Sequence, residues 1–230
     1  MYSRATYLYV VCLVIALLGC APLGTRPSDE DVERFSASQH YNAEKRQFEN
    51  RLPNVMEAMN RRIYSIDSFK AWLDGSKQGR PPGPLPAHQT DIAAFCARDE
   101  SLKIIWLGHS SFLLNMAGRI ILVDPVFSQA ASPISLFVRR FQNPPISLHM
   151  LPPIDFILIS HDHYDHLDMK TIEFFVESET RFIVPLGVKN HLTGWEIAAE
   201  RITEMDWWET TIFSEITFIA TPAQHFSGRD

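Results

Sequence analysis

Ile159-Ser160-His161-Asp162-His163-Tyr164-Asp165-His166-Leu167-Asp168 decides how this chain is read. Three histidines and three aspartates fall within eight positions, directly after the run Phe156–Ser160. That run reads as a strand buried on both faces. If the chain stays extended past Ser160, a period of two puts His161, His163 and Asp165 on one side. His166 then falls at the turn into a helix over 169–177, with Asp168 as its N-cap. Imidazole and carboxylate at this density are ligands for first-row metals. A purely structural cluster would leave uncompensated polar groups at the end of a buried strand.

Outward from the motif, 102–107, 111–115, 119–123, 181–184 and 215–220 read as further strands, and 186–195 as a helix. Strands alternating with helices predict an α/β layered domain. Residues 126–153 stand apart as a long loop holding five prolines, yet also Ile134, Leu136, Phe137, Val138 and Phe141 around Arg139-Arg140. Such a loop reads either as a lipid- or substrate-facing element or as an apolar flap packed on its own domain. Upstream, 75–88 is a Pro/Gly-rich linker and 54–74 has helical apolar spacing. Residues 21–53 read as a polar tether with a helical piece near Asp29–Phe35.

The first twenty residues read as an address. One positive charge, an apolar run from Ala5 to Leu18 and small residues at its end describe a secretory leader. Leu17-Leu18-Gly19-Cys20 resembles a bacterial lipobox, which implies a signal peptide over 1–19 and a lipid on Cys20. Ala21 after the cysteine points to the outer membrane, facing the periplasm. The uncleaved alternative, an N-terminal anchor helix, is short for a ~30 Å hydrocarbon core. Of Cys12, Cys20 and Cys96, only Cys96 would remain a thiol, and it reads as a small buried hydrophobe. The formal charge of −6 is the wrong sign for a general nucleic-acid binder.

The H-x-H-x-D-H pattern resembles the metallo-β-lactamase superfamily. Trp106–Ser111, Leu122–Phe127, Leu151–Asp155, Val184–Gly187, Asp206–Glu209 and Thr221–His225 occur in that order. Together they resemble the branch of N-acyl-phosphatidylethanolamine-hydrolysing phospholipase D. The resemblance implies an α/β fold, the αββα sandwich, over 101–230, with 20–100 as tether and N-terminal extension. It implies two divalent metals, zinc by preference. His161, His163 and His225 would hold the first, and Asp165 and His166 would contribute to the second. Asp165 would also act catalytically, orienting the attacking hydroxide, and the bond broken would be a phosphodiester. Asp124, ending a strand, would receive an imidazole N–H from behind a metal ligand, or serve only as a turn residue before Pro125.

The family's bridging aspartate and later metal-binding histidine have no counterpart, because no histidine follows His225 and Asp230 is the only later aspartate. The expectation is therefore the N-terminal part of the fold with an incomplete second site. A lactonase of the same superfamily and an inactive truncated lipoprotein are the alternatives. His109 reads as loop packing and His191 as surface. His40, His88 and His149 lack companions, and Trp207 and Trp208 read as core or sheet-edge packing.

Overall fold

The structure is a computed structural model that describes residues 21–52, 57, 59, 61–62, 65–73, 81–99, 101–136 and 138–229. The leader and Cys20 lie outside the described residues, as do parts of 54–74 and of the linker. Among the described residues, no helix is long and apolar enough to cross a membrane.

Among the described residues, five α-helices and ten strands are formed. They are α1 (Asp29–Phe35), α2 (Ile66–Leu73), α3 (Ile92–Cys96), α4 (Met169–Glu173) and α5 (Val188–Gly194). The strands are β1 (Tyr41–Asn42), β2 (Gln47–Phe48), β3 (Lys103–Gly108), β4 (Ser111–Met116), β5 (Arg119–Val123) and β6 (Phe156–Leu158). They continue with β7 (Arg181–Pro185), β8 (Ile202–Met205), β9 (Thr210–Phe213) and β10 (Ile216–Ile219). Strands β3 to β8 form one six-stranded sheet in sequence order. The β3–β4 and β4–β5 pairs are antiparallel, and β5–β6, β6–β7 and β7–β8 are parallel. The chain is therefore α/β with a central mixed sheet.

Alternation along the strands sorts the two faces. Leu113, Leu122, Ile157 and Phe182, each fully buried, face a layer holding Ile172 of α4 and Val188 and Leu192 of α5. On the other face Ile121, Phe156, Ile183 and Met205 are covered by Phe213, Ile216 and Phe218 of the β9–β10 hairpin. That hairpin leaves the β3 end bare, where Ile104 and Trp106 are exposed.

Several predicted elements are shorter than their patterns. Helix α4 stops at Glu173 rather than 177, and β6 stops at Leu158. Asp168 does occupy the N-cap position, but its side chain makes no cap bond to the helix backbone. It instead accepts from Phe127 N at 3.1 Å, Ser128 N at 2.9 Å and Ser128 Oγ at 2.7 Å. A carboxylate serves better there, tying the strand-exit loop 126–128 to the motif. Trp208 is exposed at a turn with φ +70, not packed in a core or on a sheet edge. Cys96 is only half-buried against the core, and burial pushes its thiol up from the ordinary value.

The segment before the sheet packs on it. Ser28 and Asp31 cap α1 reciprocally, with Asp31 N donating to Ser28 Oγ and Ser28 N to Asp31 Oδ2. Phe35, 2% exposed, meets the rings of Tyr41 and Phe48 and lies against Gly187. Arg34 pairs with Glu204 of β8.

Candidate metal centre

Parallel strands β5 and β6 end side by side, so Asp124 and Ser160 leave the sheet at the same edge. In open α/β sheets this carboxyl edge is where ligands bind. Asp124 N donates to Leu158 O at 2.9 Å, which locks the two exits together. Asp124 is 4% exposed and holds φ +42, a left-handed conformation that costs a non-glycine residue free energy. That turn aims its carboxylate at three donors. Ser160 N reaches Oδ1 at 2.7 Å, Ser160 Oγ reaches Oδ2 at 2.7 Å, and His166 Nδ1 lies 2.9 Å from Oδ2. Asp124 is thus the partner behind His166, and Nε2 of that ring lies 3.8 Å from Asp165 Oδ2. Burial works against a charge on His166, but the Asp124 carboxylate wins and raises its pKa.

The motif loop does not run on as a strand; it bends at 163 and turns at 164–166, and His166 N and Leu167 N both donate to His163 O. The turn gathers the imidazoles more tightly than an extended segment would. His161 lies 4.7 Å from His163, 4.0 Å from His166 and 4.3 Å from His225, centroid to centroid. His163 Nδ1 and His225 Nε2 are 3.1 Å apart. His161, His163 and His225 each present a ligand atom, all within 4.8 Å of one another.

A second group of three presents ligand atoms under the same limit: His109, Asp165 and His166. This corrects two expectations. His109 does not pack a loop; its Nε2 lies 2.9 Å from Asp165 Oδ2. The second cluster therefore offers three donors, where Asp165 and His166 alone were expected. A register shift in β3 and left-handed φ at Gly108 (+107) and His109 (+47) swing the ring over.

The remaining histidines divide. His191 is not on the surface: its side chain is 12% exposed, stacked on Trp195, with Nδ1 accepting from Thr25 N at 3.0 Å. His40 packs on Trp207 at 4.5 Å, and His149 on Phe174. His88 is exposed. Asp162 turns away from both clusters and accepts from Ser227 Oγ at 2.5 Å and Gly228 N at 2.9 Å.

The donor set fits divalent metal. His161 Nε2 is buried with no hydrogen-bond partner among the described residues, while its Nδ1 engages Ser160 Oγ at 2.9 Å. A buried imidazole nitrogen without a partner is costly unless something else takes its lone pair. Burial and the crowding of His166, His225 and His163 press its pKa down to about 4, so the ring is a neutral donor at neutral pH. Burial tends to raise Asp165, but a backbone hydrogen bond and the adjacent histidines lower it, so it remains a carboxylate. Three imidazoles suit a catalytic tetrahedral site with one open position.

A mixed sheet that presents a cluster of three histidines beside one of two histidines and a carboxylate offers a scaffold for metal. Residues 119–230 match the family model described as the beta-lactamase superfamily domain. The chain is 41% identical over 152 residues to an uncharacterised protein of Mycobacterium tuberculosis, across 65% of this chain and 40% of that protein. It is 34% identical over 155 residues to N-acyl-phosphatidylethanolamine-hydrolyzing phospholipase D 1 of Caenorhabditis elegans, across 63% of this chain and 43% of that one. It is 30% identical over 128 residues to a UPF0173 metal-dependent hydrolase of Sulfurisphaera tokodaii, across 54% and 51%. The chain thus spans about half or less of these curated relatives. Among solved structures, a metallo hydrolase of Ignicoccus hospitalis superposes with a TM-score of 0.40 at 20% identity, covering 55% of this chain and 51% of that one.

Proposed function

We propose that the protein is a metal-dependent hydrolase of phosphodiesters, acting as a phospholipase D on lipids of the N-acyl-phosphatidylethanolamine type. The observation that carries this reading is the adjacency of the two clusters, joined where His161 meets His166 at 4.0 Å. Two cations held side by side acidify water and neutralise charge on an attacked phosphoryl group. His161, His163 and His225 would hold one ion, and Asp165, His166 and His109 the other, with zinc the metal that best suits the first set. Asp165 would accept a proton or a hydrogen bond from the attacking water. Asp124 keeps His166 in the tautomer whose Nε2 is free to bind.

Two features support a lipid substrate. Relatives named as phospholipases of this specificity share 34% and 37% identity with the chain. The loop that Asp168 ties to the motif carries Ile134, Leu136 and Val138 at 54–76% exposure. Below that tip the loop is rigidly stapled. Ala131 N donates to Val138 O, and the Arg140 guanidinium donates to the carbonyls of Val126 and Ser128. Apolar side chains on a fixed stem beside a catalytic edge suit a membrane surface. A lipid on Cys20 would hold the protein to that surface in the bacterial envelope, at the outer membrane.

The test is hydrolysis of N-acyl-phosphatidylethanolamine in mixed micelles by the zinc-loaded chain, beside a phosphorylated lactone. Release of the N-acylethanolamine, abolished in His161→Ala and His163→Ala, is expected. Turnover of the lactone alone, or unchanged lipid turnover in both variants, would refute the reading.

A further inference from the structure

His225 differs from the other donors of its cluster. His161 and His163 leave the sheet on a tight turn, whereas His225 sits in 221–229, which forms neither helix nor strand. Something else must fix where its side chain points, and two groups outside the cluster do so.

The first is Asn50, in the segment before the sheet and 175 residues away in sequence. Its Nδ2 donates to His225 O at 2.8 Å, and its Oδ1 accepts from His225 N at 2.9 Å. One side-chain amide thus grips both backbone polar groups of one residue. Holding the N–H and the C=O of the same residue restrains the peptide planes on both sides of its Cα, and so the direction of its Cβ. Only an amide carries a donor and an acceptor in this fixed pair; a carboxylate could satisfy the N–H alone and would repel the carbonyl oxygen. A neighbouring contact reinforces the register, with Arg51 N donating to Gln224 Oε1 at 2.9 Å.

The second group is Asp162. It holds Ser227 and Gly228, and Arg229 donates through Nε to Asp162 O at 2.6 Å and through its other nitrogens to Leu167 O and Pro22 O. The clamp brings Gly228 so close to His163 that a Cβ there would collide with the ring. His225 is therefore held upstream by its own backbone bonds to Asn50 and downstream by the anchor on Asp162.

We infer that Asn50 is a positioning residue for the first metal site: the segment before the sheet completes the centre by seating His225. This rests on the metal-site reading and adds to it a dependence on a segment that holds none of the donors.

The experiment loads the full chain with cobalt(II) and with zinc. Asn50→Ala should weaken zinc at the first site by about 10–100-fold, the range typical of lost support behind a metal ligand. Its cobalt form should show one fewer shifted, exchangeable imidazole N–H signal, as His225→Ala does. Asn50→Asp, which keeps only the acceptor, should fall between wild type and Asn50→Ala. Asn42→Ala tests for general loosening, because Asn42 bonds Lys45 N and Glu49 but not His225. Wild-type-like zinc affinity and cobalt spectrum in Asn50→Ala, with both changed in His225→Ala, would overturn this inference alone. Equal losses in Asn42→Ala and Asn50→Ala would overturn it too, because the role would then be structural. A wild-type chain that takes up neither ion would overturn the metal reading and this inference together.

Discussion

Asp124→Asn tests the logic of the second cluster with almost no change in shape. In the native site Asp124 Oδ2 takes hydrogen bonds from Ser160 Oγ and His166 Nδ1, at 2.7 Å and 2.9 Å. The carboxylate accepts only, so Nδ1 carries the proton and Nε2 keeps its lone pair. An asparagine can retain the bond from Ser160 N with its oxygen at the Oδ1 position. Its NH2 then faces His166 Nδ1, and two donors cannot share that contact. The imidazole relieves the clash by moving its proton to Nε2, which removes the donor from the second cluster. The expected cost is about 10–100-fold in metal affinity, which is roughly 1.4–2.7 kcal/mol. His163 and His225 are not bonded to Asp124, and His161 is linked to it only through Ser160 Oγ, so the first site should weaken less than the second. Zinc titration by calorimetry would show two events in wild type, with the second-site event weakened more than the first in the variant. Nitrogen-15 spectra of the metal-free imidazoles would report the tautomer directly. An unmoved His166 tautomer, or a first site that weakens before the second, would refute the reasoning.

His109→Ala should weaken the second site and leave the first, again by about an order of magnitude or more, since one of three donors is lost; equal affinities in a zinc titration would return His109 to a packing role. Leu136→Ser with Val138→Ser should reduce partition to lipid vesicles, because each apolar side chain contributes up to about 1.5–3 kcal/mol when buried. Roughly tenfold per residue is expected in a sedimentation assay, with hydrolysis of a soluble phosphodiester unchanged. Vesicle binding that survives both substitutions would remove the loop from the membrane reading.

The contiguous part of the site was legible because its chemistry is local. His161, His163, Asp165 and His166 lie on one turn, so spacing alone announced donors for a metal. His225 and Asp124 were legible through the segments that resemble a known family, and the structure brings both to the motif loop. His109 was not. It is 57 residues before His166, and its approach depends on a register shift in β3 and two left-handed residues. The usable signal was Gly108-His109 at a strand end, a glycine marking backbone that could turn the next side chain aside. His191 was misplaced because it reads as a polar position on a short helix. Its burial comes from Gly24 and Thr25, which lie far away in sequence and close over it. The sheet was legible from short, largely apolar segments, whereas helix ends were overrun because turns at 174–177 continue the same apolar spacing.

The two clusters share a construction that the motif by itself conceals. Each takes two donors from the same short loop and one from a distant segment: His225 for the first, His109 for the second. The loop donors are brought together by local backbone geometry and need little outside help. The distant donors arrive on irregular or strained backbone, and a third ligand held loosely contributes less than its chemistry allows, because ordering it on binding costs conformational entropy. Affinity at each site is therefore set by what restrains the third donor. For His225 that restraint is the Asn50 amide and the anchor on Asp162; for His109 it is the strained turn between β3 and β4. The restraints share no residue, so a substitution at one should weaken its own site first, the other following only through the contact where His161 meets His166 at 4.0 Å. A protein whose ions depended only on the six donor residues would not behave this way. Earlier loss of the first ion in Asn50→Ala and of the second in His109→Ala is the behaviour this construction requires.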